Sequence, residues 1–502
     1  MSDTLPHELK IAREASIGLG GSALGSVLRY TFNVLVARFL GMHFLGLYSL
    51  GNVAVNVAAV FGRLGLDMGL LRFLARFKAL KQESLINATI KRAVIIGAIS
   101  GLLISIALIM GTDALRGRIF QHSPPEAGVL FKWYFATIPL LILTQVLAGA
   151  SQGLKVLKHR VLVLNIIPAT VLCFGFLGMF FWASPLESLV VPYLASQIVA
   201  FGAAVWFIRQ LMPREDHRAA QPPPGLVKFS LPLMFASLIG ILIHWSDILM
   251  LGILTDTGTV GLYQPAARTA GLIVVFTTSL SGIWAPIVSG LDSQNEHHRI
   301  AVLLRLITRW SIAIAWPSFL FLMLYGSKVM LLFGAEFLAV VPALQVLALG
   351  QLVTIFALGS ANVLIMTGHP KIAMINNTLT LTINVVANLV LIPRMGVMGA
   401  ALGSLIALSV LAVARLVEVL VIHRLHPFAV HQLKPLVAGL GALVIGMALN
   451  RVIYNWHTIL VLLVAVLVFT GVYFSLLYAL RLEPEDREVL RAFRRKFKRW
   501  RS

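Results

Sequence analysis

The chain has 502 residues, 58% of them hydrophobic and only 12% charged, with 41 Lys and Arg against 20 Asp and Glu. So little charge excludes a water-soluble globular protein, whose usual share is about 25%. The net charge of +21 does not point to nucleic acid, because no polar stretch is large enough to form a soluble domain carrying such a site. It reads instead as membrane topology plus affinity for anionic lipid.

A helix must run about 20 residues to cross a bilayer core, and only helices or closed barrels cross it with every backbone group bonded. Apolar segments of that length are predicted at 15–40, 44–71, 93–112, 128–152, 161–182, 188–211, 229–253, 262–290, 309–333, 341–367, 373–392, 398–422, 435–453 and 458–480. The fold class is therefore an all-α polytopic membrane protein of about 14 transmembrane helices. The first segment is too long for a signal peptide. It follows the mixed charges of Glu8, Lys10, Arg13 and Glu14 rather than a basic run, so it is expected to be retained.

Thirty basic residues fall on the side of the N-terminus, among them Arg72, Arg76, Lys155 and Lys158, against six on the other: Arg38, Arg116, Arg118, Lys328, Arg394 and Arg451. Positive charge marks the cytoplasmic side, so both termini are expected there. The segment 212–228, with Pro222-Pro223-Pro224, is the expected cytoplasmic linker. It separates an N-lobe of six spans (1–211) from a C-lobe of six (229–434). Two further spans (435–480) and a basic tail (481–502) follow. In the tail, Pro484 suits a first helical position, and Val489, Leu490, Phe493, Phe497 and Trp500 make one apolar stripe flanked by Arg and Lys, the pattern of an interfacial helix. Cys173 is the single cysteine, which excludes an intrachain disulfide and a Cys-based metal site. No His, Cys, Asp and Glu spacing suits a metal, and His297-His298 reads as a solvated doublet.

The chain repeats itself. Gly46-Leu47-Tyr48 opens the second span and Gly261-Leu262-Tyr263 the eighth; Asn165 enters the fifth span behind a basic hairpin, as Asn376 enters the eleventh. Six spans return the chain to its starting side, so the halves are expected to be parallel repeats about an axis along the membrane normal.

Charge inside a span needs a reason, since it costs about 2.5–3.5 kcal/mol at mid-bilayer on insertion scales. Arg29 and Arg268 lack an acid three or four residues away and are the best cavity cations; the alternative is that they bond carbonyls or an acid on another helix. Arg63 has Asp67 four residues on, where a local pair forms, and Arg415 has Glu418 three on. Lys132 begins the fourth span and can snorkel. Asp247 and His244 share one face of the seventh span, and a shift of 215 residues sets His244 opposite Arg29. This His–Asp pair serves either as a proton-responsive element or as a buried structural hydrogen bond. Asn377, Asn384 and Asn388 fall on one helix face, and Gln145, Gln152, Gln351 and Asn362 add amides. Such groups suit sugar hydroxyls and also hold helices together.

The run Ala37-Arg38-Phe39-Leu40-Gly41, Phe44-Leu45-Gly46-Leu47-Tyr48, Gly65-Leu66-Asp67 and Leu71-Arg72-Phe73 resembles the opening hairpin of polysaccharide-transport flippases, including O-antigen flippases. These belong to the multidrug/oligosaccharidyl-lipid/polysaccharide exporter superfamily. Asp247-Ile248-Leu249 with Val260-Gly261-Leu262-Tyr263 and Ala266-Ala267-Arg268 carries the same resemblance. It implies two six-helix bundles around a central cavity, alternating access, a bacterial or archaeal plasma (inner) membrane, and lipid-linked oligosaccharide as cargo.

The residues agree with that cargo. A pyrophosphate left unpaired in hydrocarbon faces a penalty of tens of kcal/mol, and guanidinium offsets it with a two-pronged fork onto phosphate oxygens. Two negative charges moving outward across 100 mV gain roughly 4.6 kcal/mol, at about 2.3 each. The expected substrate-binding residues are Arg29, Arg63, Arg268, Asn377, Asn384 and Asn388, and the expected coupling or gating residues are His244, Asp247 and Asp67. No cofactor is expected. Membrane lipids, H+ or Na+ and other polysaccharide-assembly membrane proteins complete the expected partners. A drug/cation antiporter of the same superfamily is the alternative, though it favours intramembrane acids over Arg. A membrane polysaccharide polymerase or ligase is a weaker one, since the longest outward loop, about 113–127, holds no nucleophile–base–acid set.

Overall fold

Helices are the economical answer to apolar runs of this length, because each bonds its own backbone where no water can. The computed structural model describes residues 7–118, 120–121, 123–212 and 225–480; most of the 212–228 linker and the predicted tail helix lie outside them. The regular structure among the described residues is helical, with no β-strand.

Spans 1 and 2 form one helical run, α1 (His7–Arg63), broken at Gly41, where φ is 81° and ψ 179°. Only glycine adopts that backbone freely, so Gly41 lets two spans join without a longer loop. α2 (Leu66–Ala79) completes span 2 after left-handed Gly65. α3 (Glu83–Met110), α4 (Thr112–Arg118), α5 (Glu126–Ala136) and α6 (Ile138–Gly153) follow. α7 (Leu157–Val161) leads through a π-helical turn, Leu162–Ile166, into α8 (Ile167–Phe180). α9 (Pro185–Leu211) opens on a capping box: the Glu187 amide donates to Ser184 Oγ and the Ser184 amide to Glu187 Oε2. Then come α10 (Leu226–Leu254), α11 (Thr257–Ser293), α12 (His297–Met330), α13 (Val341–Phe356) and α14 (Leu358–Met366). α15 (Pro370–Met395), α16 (Val397–His423), α17 (Leu433–Ile453) and α18 (Thr458–Ala479) end the described chain.

Among the described residues twelve helical stretches are long and apolar enough to cross a membrane. One of them, Gly20–Arg63, holds most of the first and of the second predicted spans, while the eighth predicted span falls in α11, outside the twelve. All the predicted spans therefore lie on helices of a multi-pass membrane protein.

The chain forms two compact units. One comprises residues up to Pro265 with Asn377–Gly403; the other comprises Ala266–Asn376 with residues from Ser404. The first is packed through small residues, which let backbones approach where lipid offers no hydrophobic contrast. A Cβ on Gly149 would sit 2.8 Å from Asp67 Cα, and one on Gly153 would sit 2.9 Å from the Leu70 carbonyl oxygen, so α6 lies directly on α2. Tyr134 and Tyr193 stack at 3.9 Å in its core.

In the second unit three aromatic tips fasten α17 and α18 to α12. Trp316 Nε1 donates to Leu436 O (3.1 Å), Tyr325 OH to Gly446 O (2.9 Å) and Tyr473 OH to Ala313 O (2.8 Å). The rings fill apolar space while their polar ends satisfy carbonyls, the usual condition for burying Tyr and Trp.

Candidate functional site

The first unit collects most of the predicted site residues, in three clusters. Arg29 is half-buried on α1 and faces the π-helical turn. Its Nη2 donates to Asn165 Oδ1 (3.1 Å) and its Nη1 to the Leu164 carbonyl (3.4 Å). Asn165 Nδ2 in turn donates to Ser22 Oγ (3.2 Å). The local sequence explains the arrangement. Residue 168 is proline, which has no N–H to return to the carbonyl four residues back, and Ile167 bonds five back, to Leu162. Gly25 allows the approach, since a Cβ there would lie 2.7 Å from the Asn165 carbonyl oxygen. Arg29 thus bonds a carbonyl and an amide on another helix, the alternative that sequence spacing left open, and both acceptors are uncharged.

The second cluster is the expected Arg63–Asp67 pair, at 3.4 Å, with side chains only 12% and 7% exposed. Arg63 Nη1 also donates to Gln145 Oε1 (3.1 Å). Close by, Arg160 donates to Gln152 Oε1 (2.6 Å). The two intramembrane glutamines of span 4 therefore each receive a guanidinium.

The third cluster centres on Asp247 of α10. Its Oδ1 accepts from Asn384 Nδ2 (3.0 Å) and Asn388 Nδ2 (2.8 Å), both on α15, and its Oδ2 accepts from the Tyr263 hydroxyl of α11. Ser246 Oγ donates to Asn384 Oδ1 (2.6 Å). Asn388 is fully buried, and a Cβ on Gly403 would overlap its Oδ1. His244 stands exposed one turn earlier, its ring 5.2 Å from that of Trp245.

The repeat extends into this cluster but its chemistry does not. Shifting by 215 residues sets Phe32 at Asp247 and Tyr48 at Tyr263. In the first half that pair is an apolar edge-to-face contact, 5.0 Å between centroids. In the second half the corresponding positions form the Tyr263–Asp247 hydrogen bond.

Arg268 lies half-buried on α11 in the second unit. There Glu418 accepts from Asn376 Nδ2 (2.7 Å), and no ion pair within 4 Å joins it to Arg415 among the described residues. Glu418 still acts on Arg415 electrostatically, as the spacing suggested, while its hydrogen bond comes from Asn376, a neutral donor at bonding distance. Asn377 is half-buried and no hydrogen bond joins it to the Asp247 cluster. Lys132 meets Asp113 at 3.2 Å, at an exposed site. Among the described residues no group of three or more His, Cys, Asp or Glu could hold a metal ion.

Sequence reasoning missed Tyr263 and Ser246 as members of the Asp247 cluster and Asn165 as the partner of Arg29. Tyr263 and Asn165 both mark the internal repeat, which was the available signal.

Residues 11–292, more than half of the chain, match the model of a family described as polysaccharide biosynthesis protein. Two relatives come from Haloferax volcanii. The probable low-salt glycan biosynthesis flippase Agl15 is 23% identical over 225 residues, 45% of this chain and 47% of Agl15. The probable flippase AglR is 29% identical over 209 residues, 39% of this chain and 40% of AglR. The chain thus spans about half the length of these two relatives, or less. Among solved structures, lipid II flippase MurJ in an inward closed conformation superposes with a TM-score of 0.71 at 14% identity, over 91% of this chain and 96% of MurJ. An inward-facing multidrug resistance MATE family transporter of the MOP superfamily superposes with 0.65 at 16%, over 80% and 96%. The fold of this chain is the one those transporters share.

Proposed function

Because the chain belongs to the polysaccharide biosynthesis protein family, we propose that it is a flippase for oligosaccharide carried on polyprenyl pyrophosphate. It moves this cargo from the cytoplasmic to the outer leaflet of the plasma membrane by alternating access, for surface polysaccharide synthesis. The likeness to Agl15, a probable low-salt glycan biosynthesis flippase, and to AglR, a probable flippase, supports this reading, and the charge asymmetry of the loops supports cytoplasmic termini. In this reading residues 1–211 and 229–434 act as the two lobes, Arg29, Arg63 and Arg268 receive the pyrophosphate, and the lipid tail stays in the bilayer. Asn377 is the amide best free to meet sugar hydroxyls, since Asn384 and Asn388 serve Asp247. Asp247 is the coupling group, with His244 and Asp67 beside it in that role and H+ or Na+ as the coupled ion.

One observation carries the reading: the Arg29 guanidinium, inside a membrane span, ends its hydrogen bonds on neutral oxygens. Its charge is solvated but not neutralised, which suits an anionic visitor. The test is translocation of a lipid-linked oligosaccharide in reconstituted vesicles, read by lectin accessibility at the outer leaflet. Arg29→Ala is expected to cut the rate at least tenfold with protein abundance near normal, and Arg29→Lys to restore it only in part, because an ammonium lacks the fork. Normal transport by Arg29→Ala removes Arg29 from the headgroup site.

A further inference from the structure

We infer that Asn165 positions Arg29, and that the Leu164 carbonyl holds the guanidinium in a parked state from which the cargo's phosphate oxygens release it. The inference rests on the proposed role of Arg29 and assigns its partners a part in binding.

The two bonds are unequal. The contact to Asn165 is 3.1 Å and is backed by Ser22, so the acceptor is itself held. The contact to Leu164 is 3.4 Å, near the limit of a useful hydrogen bond. A bond from guanidinium to an ionised phosphate is roughly twice as strong as one to a neutral group. An arriving phosphate oxygen therefore competes first for Nη1, while Nη2 stays anchored on Asn165. The fork is presented in a fixed orientation, and little side-chain entropy remains to be lost on binding.

The carbonyl that Arg29 gives up is not an ordinary helical one. Pro168 denies it the α-helical donor, and the surrounding backbone runs as a π turn. Such turns recur at functional sites. When Arg29 turns to the headgroup, the Leu164 carbonyl gives up that donor within a span, and the loss falls on the turn. Headgroup binding on α1 is thereby tied to the backbone of the fifth span.

Three substitutions separate the parts. Pro168→Ala supplies an N–H at residue 168, so the helix can reclaim the Leu164 carbonyl and leave Arg29 unparked. Asn165→Leu removes the anchor, and Asn165→Gln keeps an amide there. The probe is a short-chain prenyl pyrophosphate, measured against the matching prenyl alcohol, on the full chain purified in detergent. Pro168→Ala is expected to raise the pyrophosphate-over-alcohol preference severalfold while slowing translocation. Asn165→Leu is expected to lower that preference about tenfold, and Asn165→Gln to restore part of it.

A merely structural role would move both ligands equally and leave the preference unchanged in all three, which overturns the inference. Should Asn165→Leu not accumulate, Ser22→Ala, which removes only the backing of Asn165, replaces it with a smaller loss in the same direction. An Arg29→Ala variant that keeps the preference ends the headgroup reading itself. One that abolishes it, beside an unaltered Pro168→Ala, keeps that reading and overturns the parked state.

Discussion

Gly46 and Gly261 each occupy the space where the other repeat's backbone runs. A Cβ on Gly46 would overlap the Thr257 carbonyl oxygen, and one on Gly261 would overlap the Met42 carbonyl oxygen. Met42 and Thr257 stand 215 residues apart, as the two glycines do, so the contact is the same on both sides. The obstacle is backbone and cannot swing away. Gly46→Ala and Gly261→Ala should each destabilise the purified protein by about 1–3 kcal/mol, the usual cost of overpacking. Once one methyl has parted the helices, the second costs less, so the double variant should fall well short of additive. Thermal unfolding in detergent of the four proteins measures this; strict additivity would mean that the two sites do not share one crossing.

Asp247 accepts from Asn384, Asn388 and Tyr263, and Asp247→Asn would face one of those donors with another. An unmatched buried donor costs about 1–3 kcal/mol. The expected result is a lower melting temperature with the membrane fold retained, together with loss of any ion dependence of transport. Transport by Asp247→Asn that follows the same ion gradient as wild type would take Asp247 out of coupling.

Arg63 and Asp67 form a buried pair, and removing one partner strands the other. Asp67→Ala should destabilise by about 3–5 kcal/mol, softened by Gln145, which still accepts from Arg63. Removing both, as Arg63→Met with Asp67→Leu, should recover much of the loss. A double variant no better than Asp67→Ala would show that the pair is not the source of the cost.

Asp256 caps α11. The Thr259 amide donates to its Oδ1 (3.0 Å) and the Thr259 hydroxyl to its Oδ2 (2.8 Å). Partial burial works to raise its pKa, but these bonds, the Gly258 amide and nearby His43 hold it below its ordinary value of 3.8. A carboxyl depressed by folding adds stability that is complete above its unfolded pKa and is lost as pH falls through the folded one. Asp256→Ala should therefore cost about 1 kcal/mol near neutral pH and progressively less below about pH 3.8. Melting temperatures of both proteins from pH 3 to 7 should converge at the acid end. A constant gap would assign the effect to something other than the ionised cap.

The spans were legible because the bilayer imposes a length and a hydropathy that no other environment demands. Asn384 and Asn388 were legible as one face, since helical periodicity is a local rule. What they bonded was not. The Tyr263–Asp247 bond joins α11 to α10 across the bend at residues 255–256, where no spacing rule applies. The partner of Arg29 includes a backbone carbonyl, and its availability depends on a proline four residues further on. Arg415 and Glu418 had favourable spacing, but the hydrogen bond to the carboxylate comes from Asn376, on another helix, which no spacing rule announces. The Gly46 and Gly261 motifs were visible as repeated letters, and their meeting in space required tertiary packing to reveal.

That meeting has a consequence for how the chain can be cut. A contact in which two copies of a motif present the same glycine to the same backbone position of the other has the geometry of an isologous dimer interface. The covalent link between the copies supplies effective concentration rather than complementarity. Severed near residue 213 and produced as two polypeptides in one membrane, the halves already carry matching surfaces at the crossing through which to pair.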